Sequence, residues 1–175
     1  MEIRFHIKTA ENGYLSNFAP YAIELDGHHW PTVEHYYQAK KFPHDPTWAP
    51  SVLTCRRPYD IWRLARQLAP LLRADWDEVK EDVMRIALRA KFTQHEELRK
   101  RLLATGEALL IEDAPNDPYW GCGADGQGKN RLGCLLMETR TFLRTAAWEG
   151  EPPVQDSVAL LEIRPMNEPD FGPSL

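Results

Sequence analysis

One run of aromatic and polar residues, Trp30-Pro31-Thr32-Val33-Glu34-His35-Tyr36-Tyr37-Gln38-Ala39-Lys40-Lys41-Phe42, constrains this chain more than any other stretch. Pro31 gives a stiff start and Thr32 a side chain that can accept from orphan backbone donors. The spacing therefore predicts a helix that runs to Phe42 and is stopped by Pro43. Helical geometry sets Glu34, Gln38 and Lys41 on one face and Tyr36, Ala39 and Phe42 on another. A carboxylate, an amide and an amine in one line form either a solvated stripe or an enclosed group whose members must find partners. Spacing alone favours the stripe. The flanking Trp30, Tyr36, Tyr37 and Phe42 argue for enclosure.

With 175 residues, 43% hydrophobic and 27% charged, the chain has the size and composition of one globular domain with its own core. No stretch approaches the ~20 apolar residues of a membrane span, and MEIRFHIKTAENG lacks the layout of a secretory signal. Cys55, Cys122 and Cys134 form no CxxC, which points to reduced, cytoplasmic use rather than a disulfide framework or zinc ribbon. His28, His29, His35 and His44 have no coherent ligand spacing, so no metal site is expected. The net charge of -5 argues against broad nonspecific binding to nucleic acid. Arg56, Arg57, Arg63, Arg66 and Arg73 supply either a local basic groove or an ordinary solvated face.

The remaining pattern is mostly helical. Residues 3–8 alternate as a strand with Ile3, Phe5 and Ile7 inward. Ala22 to Leu25 and His28 to Trp30 flank Asp26-Gly27, the signature of a type I′ hairpin. Residues 43–58 hold four prolines and no periodicity, which predicts a loop. A helix is expected over Tyr59–Leu68. A better-marked one starts at Asp75, as a capping box with Glu78, and carries Val79, Val83, Ile86, Ala87 and Ala90 inward. A third spans about Glu96–Ala104 with Gly106 at its end, and a strand covers Ala108–Ile111. Leu132, Leu135, Leu136 and Leu143 mark a last long helix. The fold class is α+β: a compact, mainly helical single domain with a small antiparallel sheet, over residues 1–148. Residues 149–175 read as a partly loose extension with one further element over Val154–Ile163.

Asn116-Asp117-Pro118-Tyr119-Trp120-Gly121 leads into a glycine-rich loop that ends at Gly128-Lys129-Asn130. The glycines match a dinucleotide fingerprint and part of a P-loop, but no strand precedes them and Asn130 replaces the Ser/Thr that would hold magnesium. Both motifs are set aside. Two readings stay open: a phosphate seat at a helix start near Asn130, or a surface loop. Glu34 and Asp117 each lie among aromatic residues, which can raise a carboxyl pKa. Trp76, between Asp75 and Asp77, is either a core anchor or a stacking platform.

SNFAPYAIELDG, WPTVEHYYQAKKF, ADWDEVKEDVMRIALRAKF, NDPYWG and GKNRLGCLLMETR together resemble the NADAR family of YbiA-like N-glycosidases, over roughly residues 3 to 145. The resemblance implies a compact α+β enzyme that hydrolyses the C1′–N bond of ribosylated amines. Its two substrate classes are phosphorylated ribosylamine intermediates of riboflavin synthesis and ADP-ribose on guanine in nucleic acid. By motif position the family's catalytic residues fall on Glu34, Lys41, Trp76 and Asp117. Asn17, Phe18, Tyr36, Trp120, Gly121 and Asn130 are candidate substrate-binding residues. No cofactor or metal is expected. The competing classes are a non-catalytic module that binds NAD or ADP-ribose, and an antitoxin bound to a partner toxin.

Overall fold

The computed structural model describes residues 1–7 and 11–149. The chain opens with β1 (Glu2–Phe5) and a 3-10 turn at Gly13–Leu15, then forms the hairpin β2 (Ile23–Leu25) and β3 (His28–Trp30). Helices α1 (Val33–Ala39), α2 (Trp48–Thr54), α3 (Pro58–Gln67), α4 (Trp76–Gln94) and α5 (Glu96–Ala104) follow. Strand β4 (Leu109–Glu112) and helix α6 (Arg131–Glu149) close the described part. The α+β class holds, with helices dominant. The antiparallel hairpin is accompanied by a parallel pair, in which β1 lies along β4 with Phe5 opposite Glu112. Parallel pairing requires a long crossover, and here the first five helices supply it.

Helix α1 forms the centre. Thr32 caps it by accepting from the His35 N–H, and all seven of its residues are buried. Full enclosure includes the polar Glu34, His35 and Gln38, so the solvated-stripe alternative fails. His35 is satisfied between the Thr32 hydroxyl at 2.8 Å and the Cys55 carbonyl at 3.1 Å. The helix stops at Ala39, earlier than expected, and Lys40 and Lys41 lie in the turn that follows. The hairpin turn is as read: Asp26 and Gly27 have φ of 54° and 71°.

Three local expectations are corrected. The strand expected over residues 3–8 is described as strand only to Phe5, and Ile7 is exposed. The 43–58 loop contains α2, because Pro50 falls in its first turn, where a helix needs no N–H. Asp75 is the N-cap residue of α4 but makes no capping hydrogen bond, because its carboxylate is taken by Arg73 at 2.5 and 2.8 Å. Residues 150–175, with the element expected over Val154–Ile163, lie outside the described residues. Among the described residues no helix is long and apolar enough to cross a membrane.

Candidate active site

The carboxyl of Glu34 is buried on α1, at 2% exposure. Gln38, one turn on, donates to Oε1 at 2.6 Å, and Asn17 donates to Oε2 at 2.5 Å. The Asn17 carbonyl also accepts from the Glu34 N–H at 3.0 Å, so the Ser16–Phe18 turn grips both ends of this residue. Burial pushes the Glu34 carboxyl up to about 7. Hydrogen bonds from Gln38 and Asn17 and the Lys41 charge pull it down, while Asp117 pushes it further up. The Gln38 Oε1 is buried and has no hydrogen-bond partner among the described residues, leaving an acceptor beside the acid.

Lys41 stays within electrostatic reach of Glu34 although the helix ends before it. Its ammonium lies 5.1 Å from the Tyr37 ring centre and 5.6 Å from that of Trp76. Burial lowers its pKa, the Glu34 charge opposes that, and Arg66 adds to it. Trp76, buried at the start of α4, packs on Tyr37 with ring centres 4.9 Å apart. The indole is thus enclosed, with one aromatic neighbour and a cation above it.

Asp117 arrives from the other end of the chain. Its Oδ1 accepts from the Tyr119 and Trp120 N–H groups at 3.0 and 2.8 Å, a side-chain-closed turn that fixes the carboxylate without help from the core. The turn is tied down further on. Tyr119 donates to Glu81 at 2.7 Å, and Arg131 holds the same carboxylate through two bonds at 2.8 and 2.7 Å. Arg131 keeps Glu81 down at about 2, chiefly by hydrogen bonding. Trp120 packs edge-on against Tyr37 at 5.6 Å, which links this turn to α1.

Tyr37 therefore joins Trp76, Lys41 and Trp120, and sequence reading missed it. Tyr36 was chosen instead, yet it points the opposite way. Its hydroxyl donates to Asp26 at 3.2 Å and its ring meets Trp30, so it braces the hairpin. No periodic signal separates adjacent tyrosines on a helix buried on all sides.

Asn130 and Gly121 serve the backbone. Asn130 accepts from the Glu112 N–H at 2.9 Å and donates to the Leu110 carbonyl at 2.8 Å, which pins the start of α6 to β4. A Cβ on Gly121 would come within 2.6 Å of the Ala114 Cβ, so only glycine fits. The phosphate seat is also overturned. The N–H groups of Gly128, Lys129, Asn130, Arg131 and Leu132 are donated to carbonyls of Cys122, Pro118, Gly121, Tyr119 and Trp120. A helix start whose Arg131 and Leu132 N–H groups are taken by its own loop is not the open cluster of donors that seats an anion. Phe18 is half-buried beside Asn17, its N–H bound to the Ser16 hydroxyl at 3.2 Å. The arginines that read as either a basic groove or a solvated face are divided: Arg57 pairs with Asp60 and Arg73 with Asp75, while Arg66 stacks over Trp62 at 4.8 Å. Among the described residues no group of three or more His, Cys, Asp or Glu could hold a metal ion.

An enclosed, raised carboxyl beside a half-buried amine and a second, turn-held carboxylate is the equipment of an acid–base hydrolase. This chain belongs to the NADAR family, whose domain model matches residues 4–144. It is 50% identical over 141 residues to the N-glycosidase YbiA of Escherichia coli, covering 81% of this chain and 88% of that protein. An N-glycosidase of Nostoc punctiforme is 42% identical over 146 residues, covering 82% of this chain and 94% of that one. A riboflavin biosynthesis protein of Vibrio vulnificus is 40% identical over 145 residues, which span 83% of this chain and 39% of that longer protein. The solved structure of the E. coli YbiA protein superimposes with a TM-score of 0.76 at 45% identity, covering 89% of this chain and 93% of that one.

Proposed function

We propose that this N-glycosidase uses Glu34, Lys41, Trp76 and Asp117 to hydrolyse the C1′–N bond of a phosphorylated ribosylamine of the kind that occurs in riboflavin synthesis. The observation that carries this is the Glu34 carboxyl, buried and poised at about 7 between an amine and a second carboxylate. A group with that midpoint can take and return a proton near neutrality. Glu34 takes a proton from water, and the water oxygen bonds to C1′. The C1′–N bond breaks, its electron pair goes to nitrogen, and that nitrogen is protonated as it leaves. Asp117 faces the developing positive charge at C1′ or relays to the leaving amine the proton that Glu34 took from water. Gln38 Oε1 supplies an acceptor for the water or a ribose hydroxyl, and Trp76 with Tyr37 excludes bulk solvent.

The lowered amine of Lys41 favours a second route. A glycosylamine opens to an imine, and neutral Lys41 exchanges with it: nitrogen bonds to C1′, the original amine departs, and water releases the sugar from the lysine imine. Borohydride under turnover separates the two routes. A reduced adduct present in the wild type and lost in Lys41→Ala supports the lysine route, and no adduct supports direct hydrolysis. ADP-ribosylated guanine is the second substrate reading, supported by Arg66 beside Lys41 and by the Tyr59–Trp62 ring stack on α3 at 5.4 Å. A side-by-side assay on a ribosylamino-pyrimidine phosphate and ADP-ribosylated guanine DNA decides between them. Turnover of neither refutes the proposal.

A further inference from the structure

Lys91 on α4 is fully buried, a place that lysine occupies only with partners. Its ammonium donates to the carbonyl oxygens of Tyr14 at 2.6 Å and Ser16 at 2.8 Å. Those carbonyls belong to the segment that leads directly into Asn17, the residue that grips Glu34 through its side chain and its own carbonyl. The rings of Tyr21 and Phe92 lie 5.4 and 5.3 Å from the ammonium. Burial lowers the Lys91 amine to about 7, and from β4 the Glu112 carboxyl, itself raised by burial to about 8, faces it. Glu112 is 7% exposed, its Oε2 has no hydrogen-bond partner among the described residues, and it also feels Asp117, Asp113 and Glu34. One buried amine thus holds the Asn17 segment on one side and faces the strand that leads to Asp117 on the other.

We propose that Lys91 is a positioning residue: by clamping the Tyr14 and Ser16 carbonyls it fixes Asn17, and so sets the hydrogen bond that holds the Glu34 carboxyl. Lys91 touches no substrate. For turnover this role rests on the reading of Glu34 given above, whereas its effect on the carboxyl needs no substrate. An amide that donates to a carboxylate favours the charged form, so a slack Asn17 segment moves Glu34 to higher pH. Among the described residues, Asn17, Gln38, Lys41, Tyr37, Glu112 and Asp117 face Glu34, and of these the Asn17 contact is the one that runs through Lys91 by hydrogen bonds.

The test is a carbon-13 NMR titration of the Glu34 carboxyl in the wild type, Lys91→Met, Asn17→Ala and the double variant, with kcat/KM measured over the same pH range. Each single change is expected to raise the midpoint by about 1 pH unit. The double variant should show no further rise, and the acid limb of kcat/KM should follow the carboxyl. A Lys91→Met midpoint at the wild-type position, or shifts that add in the double variant, overturns the clamp. Where Lys91→Met does not fold, Asn17→Ala carries the test. Asn17→Ala leaves both Lys91 bonds intact, and an unmoved midpoint there also overturns the clamp. If the carboxyl shifts as expected while the wild type turns over no ribosylated amine, the clamp stands and the functional reading falls.

Discussion

Glu34 leaves a helix buried on every side and is held by side chains, whereas Asp117 sits in a half-exposed turn and is held by backbone N–H groups. The two arrangements hold a carboxyl differently. At Glu34 desolvation outweighs the two hydrogen bonds, and the carboxyl is raised to about 7. At Asp117 the turn fixes direction while solvent remains near. A fold can thus bring two carboxyls with different surroundings to one site by choosing where each enters the chain.

The contrast breaks most sharply at Glu34→Gln, which keeps shape and removes the proton-accepting charge. Its kcat/KM on a ribosylated amine should fall by about 1,000-fold with the far-UV spectrum unchanged. In the wild type, if Glu34 is the base, kcat/KM should rise with pH through about 7. Stability moves the other way. The folded value lies above the ordinary 4.5, so the folded state binds the proton more tightly. Wild-type stability is fullest below 4.5, declines as pH climbs toward about 7, and then levels off. Thermal melts should therefore show Glu34→Gln gaining on the wild type across that window, by up to about 3 kcal/mol.

Asp117 gives the next effect. Asp117→Asn keeps an oxygen for the Tyr119 and Trp120 N–H groups and loses only charge, so kcat/KM should fall by about 100-fold with little change in melting. Asp117→Ala should lose a similar factor and also destabilise the turn, by about 1–2 kcal/mol. Equal melting of Asp117→Ala and the wild type would show that the turn does not depend on its carboxylate. Trp76→Phe, which keeps an aromatic face for Tyr37 and loses contact area under Lys41, should cost about 10-fold in kcat/KM. The smallest effect belongs to Tyr36→Phe. It removes the hydrogen bond to Asp26, so the melt should fall by about 1 kcal/mol while kcat/KM stays within about 2-fold. A large activity loss there would return Tyr36 to the site.

Much of this was legible in the residues because it depends on local chemistry. Thr32 before an apolar run, Asp26-Gly27 between two short strands and Gly106 after Ala104 each have one favourable backbone solution, and the chain adopts it. Catalytic candidates followed from motif order, and Glu34, Lys41 and Asp117 do share one electrostatic neighbourhood around Tyr37 and Trp76. Where reading failed, a partner that propensity does not register decided. Arg73 drew Asp75 away from its cap, and the carbonyls of residues 118–122 consumed the N–H groups that made the glycine loop look like an anion seat. Lys91 gave no sign of its role, since a lysine on an amphipathic helix ordinarily faces water.

The sequence by itself determined the hairpin and the described helices other than α2, because backbone propensity, capping and periodicity act over a few residues. Tertiary structure alone decided that Glu34 is buried, that Tyr37 rather than Tyr36 faces Trp76, and that β1 pairs with β4. Those outcomes depend on desolvation and on contacts between residues tens of positions apart. The dielectric around a carboxyl is a property of everything packed against it, and no local stretch of sequence contains it.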